Sequence, residues 1–431
     1  METGRKNSPA LITRRKFIAA ATSITAFTVV PRHVLGGPGK TPPSETLNMA
    51  GIGVGGQGYF DLMDVSRAGG NIVALCDVDE QRAGKAFEQF PQARRYRDFR
   101  RLLDQEEKGI DAVVVATPDH VHIPASVMAM RLGKSVYCEK PLGQNIHEIR
   151  LATRVARESG VVTQMGNGAH SGYNYRSLVA LVKAGTIGEV KEVHCWCDQA
   201  WAPGDRPRET PPVPQYLDWN LWLGPAPYRP YHPCYHPLSW RQWWDFGNAR
   251  LGDMGCHMID LPFSALDLKY PLTVEAESSK MAHPESGPPW LISRWTFPQR
   301  GDLPPVELTW YDGGKRPALQ KEHSMLDWPE ASLFVGSKGM LIADYGRFKL
   351  YPEERFNGVR RPQITDLRGH HDEWIVACKA GDPTRTGCHF GYACAWRIPN
   401  SRFRKRLFGS HVPAKGIQNA KHPRARIGLT R

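Results

Sequence analysis

Residues 47–77 have the sequence LNMAGIGVGGQGYFDLMDVSRAGGNIVALCD, and this stretch decides the fold. An apolar run meets a glycine cluster, a segment compatible with a helix follows, and a second apolar run ends in Asp77. That order predicts a strand, a tight turn, a helix and a second strand. The turn contains Gly53-x-Gly55-x-x-Gly58, and Asp77 stands nineteen residues after the last glycine, as in the dinucleotide-binding fingerprint.

Each residue of this fingerprint has a physical task. Gly53 allows the sharp turn, Gly55 admits a pyrophosphate close to the backbone, and Gly58 lets the helix pack closely on the strand. The N–H groups at the start of the helix favour the phosphates. Asp77 would accept hydrogen bonds from the adenine ribose, which favours NAD and leaves NADP possible. A second register that begins at Gly51 also matches, but it leaves a shorter strand before the turn.

The 431 residues are enough for two domains, and their charge is unevenly spread. The net charge is +13, but residues 1–40 carry +6 and residues 387–431 carry +10, which leaves −3 on the residues between them. That body offers no broad positive surface to a phosphate backbone, so we expect no nucleic-acid partner.

The N-terminal 46 residues are predicted to be an export signal and a linker. Residues 13–18 (TRRKFI) precede an apolar stretch over residues 18–30 that is too short to cross a bilayer. Paired arginines before a modestly apolar core are typical of a twin-arginine signal, so we expect export to the periplasm and no stable membrane span. The alternative is a basic N-terminal helix of the folded protein.

Residues 47–165 alternate between strand and helix patterns, which predicts a doubly wound parallel sheet. The apolar run at residues 111–116 ends in Thr117–His122, predicted to be a loop before a helix at residues 123–132. A later strand delivers Lys140 at its carboxyl end. Open α/β sheets bind ligands at these ends.

Lys140 lies between Glu139 and Pro141, at a position suited to proton transfer. We expect desolvation and the nicotinamide charge to lower its pKa. The alternative is a surface lysine paired with Glu139.

From residue 166 the pattern predicts a second, α+β domain that extends to residue 386, with a mostly antiparallel open sheet. A helix in it places Asp253 and His257 four residues apart on one face. Histidine is a suitable base for a substrate hydroxyl, although an ordinary hydrogen-bonded pair or half of a metal site would give the same pattern.

Aromatic and cysteine residues of this domain leave further alternatives open. Trp240, Trp243 and Trp244 are either core residues or platforms for a sugar ring. Nine cysteines form no disulfide framework. We expect buried thiols and no metal, because no CxxC pair or HExxH helix is present. The residues that would otherwise combine into a zinc site are Cys195, Cys197, His232, Cys234, His236, Cys256 and His257.

Four motifs together resemble the glucose–fructose oxidoreductase / inositol dehydrogenase / MocA family. They are Gly53-Val54-Gly55-Gly56-Gln57-Gly58, Ala116-Thr117-Pro118-x-x-x-His122, Glu139-Lys140-Pro141 and Gly252-Asp253-x-x-x-His257. The resemblance runs from about residue 47 to about residue 383. It implies that Lys140, Asp253 and His257 are catalytic, and that residues 370–379 form a helix packed on the first domain.

The resemblance also gives two sets of binding residues. The expected cofactor set is Gly53, Gly55, Gly56, Gln57, Gly58, Asp77, Thr117, Pro118, His120, His122, Glu139, Lys140 and Asn167. The expected substrate set is Lys140, His170, Tyr173, Trp240, Trp244, Asp253 and His257.

Residues 387–431 contain no Asp or Glu and show no helical period, where the resemblance implies a helix rich in alanine and leucine. Either this is a genuine basic tail or a change of reading frame replaced the native end. The absence of carboxylates favours the second interpretation, and we expect disorder throughout.

These expectations describe an exported oxidoreductase that transfers hydride between NAD(P) and a sugar, polyol or glycoside. Because no pool of reduced nicotinamide exists outside the cytoplasm, the cofactor should be tightly held and recycled. One alternative is a glycoside hydrolase that oxidises its substrate transiently, eliminates the leaving group and re-reduces. Another is a non-catalytic sugar-binding protein. The resemblance implies a homo-oligomer, either a dimer or a tetramer.

Overall fold

Two β-sheets organise the residues that the computed structural model describes, which are 46–201, 205–280, 283–325 and 328–395. The predicted signal at residues 13–30 and the linker that follows it lie outside these ranges. Within the ranges, every helix is too short or too polar to cross a membrane.

The first sheet follows the alternation that the sequence predicts. Its elements are β1 (Leu47–Ile52), α1 (Gln57–Arg67), β2 (Gly70–Cys76), α2 (Glu80–Gln89), β3 (Arg94–Tyr96), α3 (Phe99–Gln105), β4 (Ala112–Val115), α4 (Asp119–Arg131), β5 (Ser135–Glu139), α5 (Ile146–Ser159) and β6 (Thr163–Gly166). The strands are parallel in the order β3-β2-β1-β4-β5-β6, which confirms the doubly wound arrangement. Ile52 pairs with Cys76 on one side and Val115 on the other. The glycine turn after β1 therefore lies between the loops after β2 and β4.

The sequence predicts a helix over residues 146–159, and helix α5 has these bounds because both of its ends are capped. The Asn145 side chain accepts a hydrogen bond from the Glu148 N–H, and Gly160 ends the helix in the left-handed conformation. Between these ends, Ile149 and Ala152 are buried at helical spacing.

Helix α4 begins four residues earlier than predicted, at Asp119. Pro118 is extended before it, and the Asp119 carboxylate is favourable in the first turn of a helix. His120 and His122 therefore belong to the helix and not to a loop, which corrects the prediction for residues 117–122.

The second sheet and its helices follow in the chain. These elements are α6 (Tyr173–Lys183), β7 (Val190–Cys197), α7 (Trp219–Leu223), α8 (Ala249–Met258), α9 (Asp260–Ala265), β8 (Thr273–Ser278), β9 (Leu291–Phe297), β10 (Val306–Asp312), α10 (Ala318–Glu322), β11 (Glu330–Gly336), β12 (Gly339–Ala343), β13 (Phe348–Tyr351), α11 (His370–Ala380) and α12 (Phe390–Ala395). The strand order is β13-β12-β11-β7-β10-β9-β8. Strands β7 and β10 pair in parallel and the other neighbours pair antiparallel, so the mostly antiparallel sheet is confirmed.

Helix α8 connects the second sheet to the edge of the first. The Met258 carbonyl at its end accepts hydrogen bonds from Ser332 Oγ (2.6 Å) and from the Cys195 thiol (3.5 Å) on the sheet side. On the other side, Asn167 Nδ2, just after β6, donates to the Cys256 carbonyl at 2.9 Å. These bonds hold α8 at the carboxyl edge of the parallel sheet.

Helix α11 returns to the first sheet, as the resemblance implied. Trp374 is fully buried and belongs to the same apolar cluster as Leu62 and Val65 of α1. The His371 ring stacks on Tyr137 with 4.7 Å between the ring centroids.

The predicted disorder of residues 387–431 is wrong for residues 387–395. The Cys388 carbonyl accepts a hydrogen bond from the Met165 N–H of β6 at 2.9 Å, and Phe390 is fully buried. The Tyr392 hydroxyl donates to Asp260 Oδ1 at 2.5 Å. Apolar packing and these bonds hold the segment in place, although the segment itself contains no acidic residue. Its composition alone therefore gave the wrong prediction of disorder. Residues 396–431 lie outside the described residues.

Candidate active site

The glycine turn between β1 and α1 leaves room for a phosphate group. Gly53 has a φ of +77°, and a Cβ on Gly58 would lie 1.9 Å from the Gly53 carbonyl oxygen, so both positions require glycine. No side chain caps the start of α1. The Arg82 guanidinium, which sequence analysis missed, lies over the turn, because a Cβ on Gly56 would come within 2.8 Å of Arg82 Nη2. These residues fit the pyrophosphate of a dinucleotide.

Asp77 holds the glycine turn together from the end of β2. Its Oδ2 accepts hydrogen bonds from the N–H groups of Val54 (2.9 Å) and Gly55 (3.0 Å), and its Oδ1 accepts one from the Asp79 N–H (2.9 Å). Burial raises the pKa of the Asp77 carboxyl, and the backbone bonds oppose that shift. Three of about four lone-pair sites are used in this way, which leaves one for the expected ribose hydroxyl.

A cavity of about 500 Å³ lies beside this turn, at the carboxyl edge of the parallel sheet. It brings together seven residues that the sequence predicted, which are Gln57, Thr117, His122, Glu139, Lys140, Trp240 and His257. Its remaining lining residues were not predicted, and these are Ala116, Asp119, Gly166, Gly168, Ala169, Gly172, Arg241 and Tyr345. Two of the three predicted catalytic residues, Lys140 and His257, therefore share one cavity.

The Lys140 side chain contacts Asp253 of helix α8. Its Nζ donates to Asp253 Oδ1 at 2.9 Å and to the Asp253 carbonyl at 3.0 Å. The lysine side chain is 15% exposed and the aspartate side chain 12%. Burial would raise the pKa of the Asp253 carboxyl, but Lys140 and Arg241 together hold it well below its usual range. Asp253 is thus an anion that anchors the lysine.

The predicted downward shift of the Lys140 pKa is wrong in this structure. Burial does lower the pKa of the ammonium, but the neighbouring Cys256, Asp253 and Glu139 raise it above the ordinary lysine value. Lys140 is therefore a cation at neutral pH, suited to donate a hydrogen bond or a proton.

His257 is oriented by a chain of buried hydrogen bonds. Asn167 Nδ2 donates to the Cys256 carbonyl and to Asp260 Oδ2, both at 2.9 Å, so the Asn167 side-chain oxygen faces His257 Nδ1 at 2.8 Å as an acceptor. This network assigns the proton to Nδ1 and leaves the lone pair on Nε2. Asp260 lies three residues beyond His257, and sequence analysis did not single it out.

The His257 imidazole is neutral. Burial, together with the nearby Lys140 charge, lowers its pKa to about 3. A neutral imidazole with an open Nε2 is a proton acceptor at ordinary pH.

Loops around Lys140 are fixed by backbone contacts. His122 Nδ1 lies 2.9 Å from the Pro141 carbonyl and Nε2 lies 2.7 Å from the Thr117 carbonyl, so this histidine connects the ends of β4 and β5. The Lys140–Pro141 peptide bond is cis. Burial raises the pKa of the Glu139 carboxyl well above its usual value, and the Lys140 charge opposes this shift.

Among the predicted residues that do not line the cavity, four make contacts elsewhere. His120 is buried against Trp222 and Phe246 of the second domain. His170 Nδ1 lies 2.9 Å from Asp260, so it supports the His257 network and does not line the site. The remaining two are Tyr173, which lies under Arg361, and Trp244, whose carbonyl accepts a hydrogen bond from Gln144.

Two of the three clustered tryptophans, Trp240 and Trp243, differ in their surroundings. Trp243 is 1% exposed and packs with Tyr235, as a core residue does. Trp240 lines the cavity, as the platform interpretation predicts.

An aromatic strap, residues 214–248, crosses the carboxyl edge of the first sheet. It pairs with the loop after β2, where the Asp218 N–H donates to the Val78 carbonyl (2.8 Å) and His236 Nε2 lies 2.7 Å from Asp79 Oδ2. At the loop after β4, its Asn248 side chain donates to Asp119 at 2.9 Å. The strap therefore spans both sides of the dinucleotide crevice.

The cysteine and histidine residues considered for zinc do not converge. Cys195, Cys197 and Cys256 are buried, and His236 pairs with Asp79. Across the described ranges, no group of three or more His, Cys, Asp or Glu side chains is arranged to hold a metal ion.

Comparison with known proteins matches both domains. Residues 47–167 match the model of an oxidoreductase family with an NAD-binding Rossmann fold, and residues 185–299 match the C-terminal α/β domain of the same family. A glycosyl hydrolase family 109 protein of Stenotrophomonas maltophilia is 28% identical over 189 residues, 41% of this chain and 40% of that protein. An inositol 2-dehydrogenase of Gluconacetobacter diazotrophicus is 33% identical over 153 residues, 35% of this chain and 45% of that protein.

Solved structures share the fold. An inositol dehydrogenase homologue of Azotobacter vinelandii, in complex with NADH and myo-inositol, superimposes with a TM-score of 0.53 and 18% identity. The match covers 81% of this chain and 92% of that one. By contrast, the chain spans less than half the length of the curated relatives named above.

Proposed function

We propose, from the premise that this chain belongs to the glucose–fructose oxidoreductase / inositol dehydrogenase / MocA family, that it transfers hydride between NAD and a carbon of a sugar, polyol or glycoside. One observation carries the proposal. A neutral imidazole, His257, and an ammonium, Lys140, line the same cavity beside a glycine turn that fits a dinucleotide.

The two side chains divide the proton chemistry between them. Bound NAD supplies the hydride acceptor at nicotinamide C4. His257 takes the proton of the substrate hydroxyl at Nε2, while Lys140 donates a hydrogen bond to the same oxygen and stabilises its developing negative charge. In the reducing direction, the protonated imidazole returns the proton to the carbonyl oxygen. Asp253 keeps Lys140 charged and oriented.

The substrate class follows from the relatives and from the cavity. Inositol dehydrogenases occur among the similar proteins, and a cavity of about 500 Å³ has room for a sugar ring beside the nicotinamide. Trp240 forms part of its wall, with the Arg241 guanidinium stacked on the indole ring.

The proposal includes export and a cofactor that stays bound through each cycle. The aromatic strap supports retention, because its contacts with the loops after β2 and β4 would have to open before a dinucleotide could leave. The paired arginines at residues 14 and 15 support export by the twin-arginine route, which carries folded proteins.

A homo-oligomer is part of the same proposal, and light scattering of the purified protein tests it.

A second candidate is redox-neutral glycoside hydrolysis. The similarity to a glycosyl hydrolase family 109 protein favours it, and such a cycle would need a cofactor that stays bound. Hydrolysis of a glycoside without added NAD, and with no net change in nicotinamide absorbance, would distinguish it from dehydrogenation.

The decisive experiment starts with mass spectrometry of small molecules released on denaturing the purified protein. A sugar and glycoside screen that follows nicotinamide absorbance comes next, with Lys140→Met and His257→Gln alongside the wild type. We expect bound NAD in all three proteins, and turnover reduced by about 100-fold or more in both variants. Undiminished turnover in Lys140→Met would refute the proposed mechanism.

A further inference from the structure

Three cations around the candidate site share one carboxylate. Asp253 Oδ1 contacts Lys140 Nζ (2.9 Å) and Arg241 Nε (3.2 Å), and its Oδ2 contacts Arg250 Nη1 (3.3 Å). The exposed fractions of the three cationic side chains are 15%, 24% and 7%, respectively. Like charges gathered at partly buried positions repel one another unless counter-charges are present. This cluster carries two more positive charges than Asp253 balances.

Two further acids, Glu139 and Asp119, line the cavity. Burial raises the pKa of the Glu139 carboxyl, which opposes its ionisation. Asp119 accepts a hydrogen bond from Asn248. His257 is neutral, and the oxidised nicotinamide adds a further positive charge when it is bound. An anionic ligand beside these cations would therefore reduce the repulsion among them.

Arg241 is the cation placed to receive that anion. Its guanidinium stacks on the Trp240 ring at 4.3 Å, and both residues line the cavity. Its Nε lies 3.2 Å from Asp253 Oδ1, and among the described residues Arg241 forms an ion pair with no other acidic side chain. A planar fork of N–H donors that is fixed on an aromatic ring suits a carboxylate better than a neutral hydroxyl. Arg250, in contrast, is directed to Gln199 at 2.9 Å and does not line the cavity.

We propose that Arg241 determines substrate specificity by pairing with a carboxylate on the sugar, so that the site takes acidic sugars of the uronic-acid class. This inference rests on the proposed function for the reaction, but recognition of the carboxylate is a separate property. Lys140 and His257 remain free to act at the hydroxyl that reacts, while Arg241 holds the acid group elsewhere on the ring.

Binding tests the inference independently of turnover. The NAD-loaded protein is titrated with D-glucuronate, D-galacturonate and D-mannuronate, each beside its neutral parent sugar, by calorimetry. We expect at least one uronate to bind about 10- to 100-fold more tightly than its parent. Arg241→Gln should abolish this preference, so that each acid and its parent bind within about threefold of each other. Arg241→Lys should retain part of it.

The matched control is Lys315→Gln, which removes a cation stacked on a tryptophan outside the cavity (Lys315 Nζ to the Trp290 ring, 4.5 Å) and should keep the preference. Equal binding of acid and parent by the wild type, no binding of any uronate, or a preference that survives Arg241→Gln would overturn the inference.

Nicotinamide absorbance is followed in the same samples. Uronate binding without hydride transfer would uphold the role of Arg241 and count against the proposed reaction. Turnover of neutral sugars without any preference for uronates would uphold the proposed reaction and count against the role of Arg241.

Discussion

His257 Nδ1 lies 2.8 Å from Asn167 Oδ1, and this contact decides which imidazole nitrogen faces the cavity. Asn167 has no freedom to rotate its amide, because its nitrogen already donates to the Cys256 carbonyl and to Asp260. Asp260 in turn accepts from Tyr392 in the C-terminal segment. The base of the proposed reaction is thus positioned by residues that lie outside the cavity.

Replacing Asn167 with alanine should lower kcat by about 100-fold and change the sugar KM little, because the imidazole would lose its fixed tautomer and orientation. Steady-state kinetics of the NAD-loaded variant measure both constants. Asn71→Ala, which removes an exposed asparagine on the first sheet, is the control. An unchanged kcat in Asn167→Ala would show that the hydrogen-bond chain does not position the base.

Asn167→Asp should instead raise the His257 pKa and shift the acidic limb of the kcat profile to higher pH.

Stability should fall as the pH is lowered below about 6.5, the ordinary histidine pKa. Burial lowers the pKa of His257 and His370 to about 3 and that of His120 to about 4. Between those values and 6.5 the unfolded chain binds protons that the folded chain does not, so protonation favours unfolding. Thermal unfolding from pH 7.5 to pH 4.5 measures this slope. His370→Gln should reduce it, while the same change at the exposed His147 should not. Equal slopes in all three proteins would contradict the assignment to buried imidazoles.

Opening the aromatic strap should speed the loss of cofactor. His236→Ala removes the 2.7 Å contact with Asp79 in the loop after β2. We expect bound NAD to dissociate about tenfold faster or more, because a buried charge-assisted hydrogen bond is lost. Exchange with isotope-labelled NAD, followed by mass spectrometry, gives the rate, and exposed His323→Ala is the control. If His236→Ala retains NAD as long as the wild type, the strap does not govern release.

The packed part of the C-terminal segment should contribute measurably to stability. Phe390 is fully buried, so Phe390→Ala should reduce the free energy of unfolding by about 3 kcal/mol or more. Phe60 is 60% exposed, and Phe60→Ala should change it by less than about 1 kcal/mol. Denaturant titration compares the two. Similar small losses in both variants would argue that residues 387–395 are not packed as described.

Local sequence signals were sufficient for much of the framework. The glycine turn and the capped helix at residues 146–159 depend on neighbours within a few positions, and the structure has them where predicted. The start of α4 was misplaced because its first turn carries no apolar period. The segment at residues 387–395 was misjudged because its partners, Thr163, Met165 and Asp260, are far away in the chain.

The sequence by itself determined that a Rossmann domain precedes an α+β domain and that Lys140 and His257 are chemically suited to proton transfer. Only the tertiary structure decided how these two groups behave. Lys140 is anchored by Asp253, 113 positions away, and its pKa is raised by Cys256, Asp253 and Glu139. His257 presents Nε2 because of Asn167, 90 positions away. The strap closes on Asp79 from His236, 157 positions away. A pKa, a tautomer and an enclosed crevice depend on burial and on charges brought together by folding, which no local pattern specifies.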